Sequence, residues 1–463
     1  MSNITNKFNN QNTNNQNNNN QNTNNQVIND EISNDSAYNN EVPIDDLLFD
    51  ELPIEPLKYN IYYGCHTDIG GSINHENQDD SLILELGGLY IFGIFDGHGY
   101  ENGKKVANNA KKFMKEYFEN NNFDETISQE YFNNLFESTD NKIKELLKND
   151  ITKTRTMDRY CCGGSTCSIL VIKNNKCYYA HVGDSYGLIC GKSQDKNLYE
   201  ELGYDHSPTN IEEYNRISTF KKPLLFEYDN TNGPNKQIYR KINDELIINK
   251  GIYYKNIKND FASVVSIPTN SIFPSKTLSM TRALGDFSFK QHGVISTPSV
   301  FEFSLESKFE TLGSENNILS FVIASDGVWD NWLNEKVSEF VMYDNCIKAL
   351  NNPEGPQRIA EAFIDRTNVY GKINFSNSSD NAVAIIIYVT LSNHKESNHK
   401  ESNIINQSKI INEPVLETIS EELETSKELE TISEELETSK EELETISEEH
   451  EFIVPILDPN VEL

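Results

Sequence analysis

Hydrophobic residues gather in short, dense runs along the middle of the chain. Leu89-Tyr90-Ile91-Phe92-Gly93-Ile94-Phe95 and Ile318-Leu319-Ser320-Phe321-Val322-Ile323-Ala324 are rich in β-branched and aromatic side chains. Such runs read as buried strands. Cys167–Ile172, Cys177–Val182 and Tyr186–Cys190 carry the same signal, with a turn at Asn174-Asn175, and Ala382–Thr390 reads as a last buried strand. Between these runs the spacing changes to three and four. Val106, Ala110, Phe113 and Tyr117 predict a helix inside 103–118. Phe132, Leu135, Phe136, Thr139, Ile143, Leu146 and Leu147 predict another inside 128–148, with Ser128 as its N-cap. Asn334–Leu350 and Pro356–Thr367 look helical as well. Helices segregated from strand series fit an α+β fold, with helices packed outside antiparallel sheets.

Chemistry concentrates where strands end. Asp96 follows the first run, in Phe95-Asp96-Gly97-His98-Gly99, and Asp326 follows the second, in Ser325-Asp326-Gly327. Asp79 lies in Asn77-Gln78-Asp79 and Asp380 in Ser379-Asp380-Asn381. A carboxylate at a strand end, followed by Gly, places charge at the rim of a rigid sheet and leaves carbonyls accessible. Several such carboxylates repel one another unless a cation sits between them. All-oxygen ligation points to a hard divalent ion, Mg²⁺ or Mn²⁺.

Composition trims the picture. Residues 1–57 include the Asn/Gln/Thr tract Asn9–Gln26, which has nothing to bury and reads as a disordered leader. Residues 392–463 hold a tandem Ser-Asn-His-Lys-Glu repeat and then an acidic repeat. The folded part is expected at 58–391. The net charge of −32 belongs mostly to the ends: 1–57 carries nine acids and one lysine, 392–463 twenty acids and five lysines. The core is still acidic, which argues against nucleic-acid binding. In the tail, Leu429, Ile432, Leu436, Ser439, Leu443 and Ile446 form a heptad stripe, but residues 417–451 carry fifteen Glu against two Lys. Helical pairing and a disordered or marginal helix both stay open. The seven cysteines form no CxxC pair, so buried free thiols are expected. With no membrane-length apolar segment and no signal-peptide pattern, an intracellular protein is expected, cytoplasmic or nuclear. A monomer is expected, with the tail as its means of self-association.

Eight motifs in order make the chain resemble the type 2C protein phosphatase family, the metal-dependent serine/threonine phosphatases. They are Asn77-Gln78-Asp79, Phe95–Gly99, Gly163-Gly164-Ser165-Thr166, Val182-Gly183-Asp184-Ser185, Asp205-His206-Ser207-Pro208, Ser279–Asp286, Ser325–Asp330 and Asp380-Asn381. The resemblance covers roughly 62–390. It implies a four-layer α-β-β-α sandwich, two antiparallel sheets flanked by helices, with two metal ions at one end. Asp96 would bridge both ions, Asp326 and Asp380 would complete one site, and the Gly97 carbonyl would serve the other. Asp79 would hold metal-bound waters. His98 would be the general acid, or else would orient Asp96. Asp184 and Asp330 match positions linked to a weaker third ion. Arg282, Asp286 and His206 read as structural. The implied activity is hydrolysis of phosphoserine and phosphothreonine in phosphoprotein substrates, by direct attack of a metal-bridging water. The alternative is a catalytically weak pseudophosphatase that binds phosphoproteins.

Four departures stand out. Gln78 stands where many members have Glu, and Tyr186 where an Arg is common. The stretch Ser72-Ile73-Asn74-His75-Glu76 lacks the Arg or Lys that grips substrate phosphate in many members. The connection from His206 to Arg282 is long, and residues about 218–276 within it are rich in Asn, Lys, Tyr and Ile. This insertion would lie beside the active site and shape the choice of protein substrate.

Overall fold

The computed structural model describes residues 59–391 apart from 72–75, 100–101, 152–162, 231–232, 244, 269–275, 314–316 and 377–378. The Asn/Gln tract, the acidic heptads, His75, Cys161 and Cys162 lie outside the described residues.

Two five-stranded antiparallel sheets form the centre. One runs Tyr59–Asp68, Ala382–Leu391, Ile318–Ala324, Tyr186–Ser193, Lys196–Glu201 across its width. The other runs Ser299–Ser304, Lys176–Val182, Cys167–Lys173, Leu89–Phe95, Asp80–Leu86. The dense apolar runs are explained by burial on both faces. Along Ala382–Leu391 the odd positions Val383, Ile385, Ile387 and Val389 pack between the sheets, against Phe92, Ile94, Leu170, Phe321 and Ile323. The even positions Ala382, Ala384, Ile386 and Tyr388 face outward into a core shared with Trp332, Phe363 and Ile364. Leu89–Phe95 divides in the same way. Phe92 and Ile94 face the other sheet, while Ile91 and Phe95 meet the helices Gly103–Asn120 and Ser128–Ile151. This period-two partition gives four layers, helix–sheet–sheet–helix, as expected.

Local boundaries differ in three places. Ser128 is the first residue of its helix rather than its cap; a short 3₁₀ turn at Glu125–Ile127 leads into it, capped by Asp124, whose side chain accepts from the Thr126 N–H. The segment 334–350 is two helices, Asn334–Val341 and Asp344–Ala349. The helix expected to end at Thr367 runs on from Gly355 to Phe375.

The described residues of 218–276 form strands and a small core of their own. Leu225–Tyr228, Lys236–Gln237, Ser263–Ser266 and Thr277–Leu278 make a four-stranded sheet, and Tyr239–Ile242 pairs with Glu245–Ile248 as a hairpin. Phe226, Tyr228, Ile238, Tyr239, Val265 and Met280 form a small separate core with Ile217 and Phe289. Among the described residues no helix is long and apolar enough to cross a membrane. The described cysteines are free; all but the half-buried Cys65 are buried, and burial pushes the Cys190 and Cys346 thiols up to about 12.

Candidate active site

Strand register brings the aspartates together. In the hairpin of Asp80–Leu86 and Leu89–Phe95, Asp80 stands opposite Phe95. Asp79, one residue earlier, and Asp96, one residue later, therefore leave the sheet at the same end. In the other sheet Ala324 stands opposite Ala384 and Tyr186. Asp326 lies just past the first of these strands, and Asp380 and Asp184 lie just before the other two. Close approach fixes the glycines. A Cβ on Gly97 would sit 2.6 Å from the Gly103 carbonyl oxygen and 2.7 Å from that of Gln78. A Cβ on Gly327 would run into the Asn381 carbonyl oxygen.

Neighbouring hydroxyls and amides hold the carboxylates. Ser325 Oγ donates to Asp79 Oδ2 at 2.8 Å. The Thr166 N–H donates to the Asp96 carbonyl at 2.9 Å, and the Asp96 N–H to Thr166 Oγ1 at 3.3 Å. Gln78 donates its N–H to Asn381 Oδ1 at 2.8 Å and its side-chain amide to the Gly99 carbonyl at 3.3 Å. At this position the chain thus spends an amide on tying two loops of the site together.

Charge is the dominant feature. Burial pushes the Asp79 carboxyl up to about 7, and the Asp380 charge adds to it. Burial, then the charges of Asp326, Asp79, Asp380 and Asp184, raise Asp96 well above the carboxylate range. Asp326 is raised by burial and by Asp184, Asp330 and Asp380. Asp380 is raised by burial and by Asp184. Asp330 is pushed up by burial to about 6, against the pull of Lys255 and Asn256. Asp184 is buried, and its Oδ1 has no hydrogen-bond partner among the described residues.

His98 faces Asp286: Nε2 and Oδ2 are 2.6 Å apart. Burial alone would drive the imidazole toward neutrality, but the Asp286 carboxylate outweighs it and raises the His98 pKa. Nδ1, the other ring nitrogen, is buried with no partner among the described residues. Asp286 sits in the left-handed region, with φ of 47°, where its N–H reaches the Gly163 carbonyl at 3.1 Å.

Arg282 and His206 are structural. Arg282 and Arg216 clamp the buried Glu213 at 2.6 and 2.5 Å. His206 Nδ1 accepts from the Gly183 N–H at 3.2 Å and pins the loop that carries Asp184. Tyr186 stacks on Trp329 with ring centroids 4.3 Å apart.

Among the described residues no three His, Cys, Asp or Glu side chains close into a ligand cage. The donor chemistry still fits hard cations: the side-chain groups are all oxygen and mutually repelling, Asp79 and Asp184 are buried, and Asp184 Oδ1 has no partner among the described residues.

The protein phosphatase 2C family model matches residues 73–227 and 248–374. The chain belongs to the protein phosphatase 2C family. Membership makes this phosphatase a serine/threonine phosphatase by class. It is 27% identical over 278 residues to the probable protein phosphatase 2C 35 of Arabidopsis thaliana, covering 58% of this chain and 69% of the relative. It is 34% identical over 134 residues to protein phosphatase 2C 1 of Paramecium tetraurelia, covering 27% of this chain and 41% of the relative. The crystal structure of a Toxoplasma gondii serine-threonine phosphatase 2C shares the fold, with a TM-score of 0.50 at 18% identity over 72% of this chain and 97% of that one. The gap between the two matched stretches, 228–247, falls inside the 218–276 segment.

Three features of the phosphatase site had no local signal in the sequence: the pairing of Asp286 with His98, and the approach of Lys255 and Asn256 to the acidic end. The hydroxyl of Ser325 could have been found, because it directly precedes Asp326 in its motif.

Proposed function

We propose that the chain is an active, metal-dependent phosphoserine/phosphothreonine protein phosphatase. The observation that supports the reading is the cluster of carboxylates delivered by both sheets to one end, with Asp79 and Asp184 buried and Asp96 and Asp326 half-buried, whose mutual repulsion is unfavourable without cations. Asp96, Asp326 and Asp380, with the Gly97 carbonyl, would hold a pair of Mg²⁺ or Mn²⁺ ions, and Asp79 would support them. Bound there, divalent cations would neutralise the substrate phosphate and acidify water. The protein's own part is acid–base positioning. Asp286 keeps His98 protonated and fixes its ring through Nε2. That leaves the Nδ1 proton to be given to the serine or threonine oxygen as the P–O bond breaks and water supplies the new oxygen on phosphorus. A positioned general acid is worth about 10²–10⁴-fold in rate.

The full chain, assayed on an aryl phosphate and on a phosphoserine peptide, is expected to turn over with Mn²⁺ and to stop with EDTA. Asp96→Asn is expected to lose more than about 100-fold, since a metal centre supplies several kcal/mol. Absence of turnover at millimolar Mn²⁺ in the wild type would leave a phosphoprotein-binding module instead.

A further inference from the structure

The contact of His98 with Asp286 is assembled outside the two large sheets. Gly97-His98, Gly164-Ser165 and Leu284-Gly285 make a three-stranded sheet of two-residue strands. Gly164 stands opposite His98 on one side and opposite Gly285 on the other. A Cβ on Gly164 would sit 2.1 Å from Asp286 Oδ2, so the bare glycine lets the carboxylate cross to the imidazole. Strands this short have few hydrogen bonds with which to hold a geometry.

The turn that carries Asp286 is left-handed at two consecutive residues, with φ of 80° at Gly285 and 47° at Asp286. A residue other than glycine persists there when its surroundings impose the conformation. Asp140, buried on the helix Ser128–Ile151, meets this turn from behind. Its Oδ1 accepts from the Gly285 N–H at 2.8 Å, and its Oδ2 pairs with Lys290 Nζ at 2.5 Å. Lys290 closes the short helix Phe287–Lys290 that starts directly after Asp286. One carboxylate therefore grips the chain on both sides of Asp286. A buried ion pair can serve the fold alone, but here its second oxygen is spent on the residue that precedes Asp286.

We propose that Asp140 is a positioning residue. Through the Gly285 N–H and Lys290 it sets the Asp286 turn, and through Asp286 it aims His98 at the leaving oxygen. The inference rests on the general-acid reading of His98 above.

Two double variants of the full chain test it. Both lack the ion pair, so neither leaves a lone buried charge. Asp140→Leu/Lys290→Met removes the acceptor for the Gly285 N–H, whereas Asp140→Asn/Lys290→Met keeps an oxygen there. Rates are measured with Mn²⁺ on a phosphoserine peptide, whose serine oxygen needs a proton as it leaves. They are measured also on 4-nitrophenyl phosphate, whose leaving group departs readily as an anion. The readout is the ratio of the two kcat values, which does not depend on how much of a variant is folded. His98→Ala is expected to lower the ratio by about 10²-fold or more, the worth of a general acid. Asp140→Leu/Lys290→Met is expected to lower it by up to about 10²-fold, the cost of about 1 Å of misplacement. Asp140→Asn/Lys290→Met is expected to recover most of that loss. With the ratio lowered in His98→Ala, a wild-type ratio in Asp140→Leu/Lys290→Met, or equal losses in the two double variants, would overturn the proposal. An unchanged ratio in His98→Ala, or a wild type without turnover, would overturn the reading of the site itself, and this inference with it.

Discussion

Phe321 and Ile248 both sit on short antiparallel strands, yet Phe321 is fully buried and Ile248 is 57% exposed. The strand of Phe321 is covered on both faces, by the second sheet and by a helix layer. The strand of Ile248 belongs to a two-stranded hairpin whose Ile242 and Ile247 are exposed too. The two regions meet at a cleft of about 500 Å³, lined by Asp184, Asp326 and Asp330 from one and by Lys255, Asn256 and Lys258 from the other, and contribute opposite charge to it. Carboxylates that repel one another stay together only if the backbone behind them cannot relax, and the doubly covered sheets supply that stiffness. The 218–276 segment supplies cations and amides, which attract and need no such backing. A small core and a few polar contacts are enough to hold it.

The largest test of this contrast is Phe321→Ala. Truncating a fully buried Phe costs about 3–5 kcal/mol. That is a large part of the stability of an ordinary domain. Urea unfolding of the variant is expected to show a loss of stability of that size, with Mn²⁺ binding weakened alongside, because the strand ends carry the ligands proposed above. A shift below about 1 kcal/mol would mean that the sheets are not what holds the carboxylates.

The legible part of the molecule follows the same division. Strands buried on both faces announce themselves as unbroken apolar runs, and the residue that ends each run is the one the register brings to the site. Asp96 and Asp326 could therefore be picked out beside their own strands. Asp79 and Asp380 needed their motifs. Asp286 could not be paired with His98, because their contact is set by the packing of distant segments and by a left-handed turn that no local pattern marks. The 218–276 segment was harder still. Its strands are two to four residues long, too short for a period to show. No Arg or Lys stands among 72–76, upstream of Asp79, whereas Lys255 comes to within 4.0 Å of Asp205 from far along the chain.

A smaller effect is expected at the junction of acid and base. Asp286→Asn removes the charge that raises His98 but keeps a hydrogen-bonding group of the same size. Removing such a supporting partner costs about 10–100-fold. The sign of its pH effect is fixed. As the proposed general acid His98 would act in its protonated form, so activity is expected to fall as pH rises through its pKa. Without the Asp286 charge, burial is left to lower that pKa, and the alkaline limb of kcat/KM moves to lower pH. An unchanged limb with an unchanged rate would make Asp286 a purely structural residue.

The smallest effect belongs to Ile248. Its side chain already meets water, so Ile248→Ser removes little buried apolar surface. Stability is expected to change by no more than about 0.5 kcal/mol, and turnover of an aryl phosphate is expected to stay at the wild-type value. A small substrate reports only on the cleft chemistry, which lies on the sandwich side. If the segment shapes the choice of protein substrate, kcat/KM on a phosphoprotein is the quantity free to move. Measuring both substrates on one variant separates the regions directly. Equal losses on the two would show that the hairpin braces the cleft, and the contrast between a rigid acidic wall and a locally fastened cationic one would have to be abandoned.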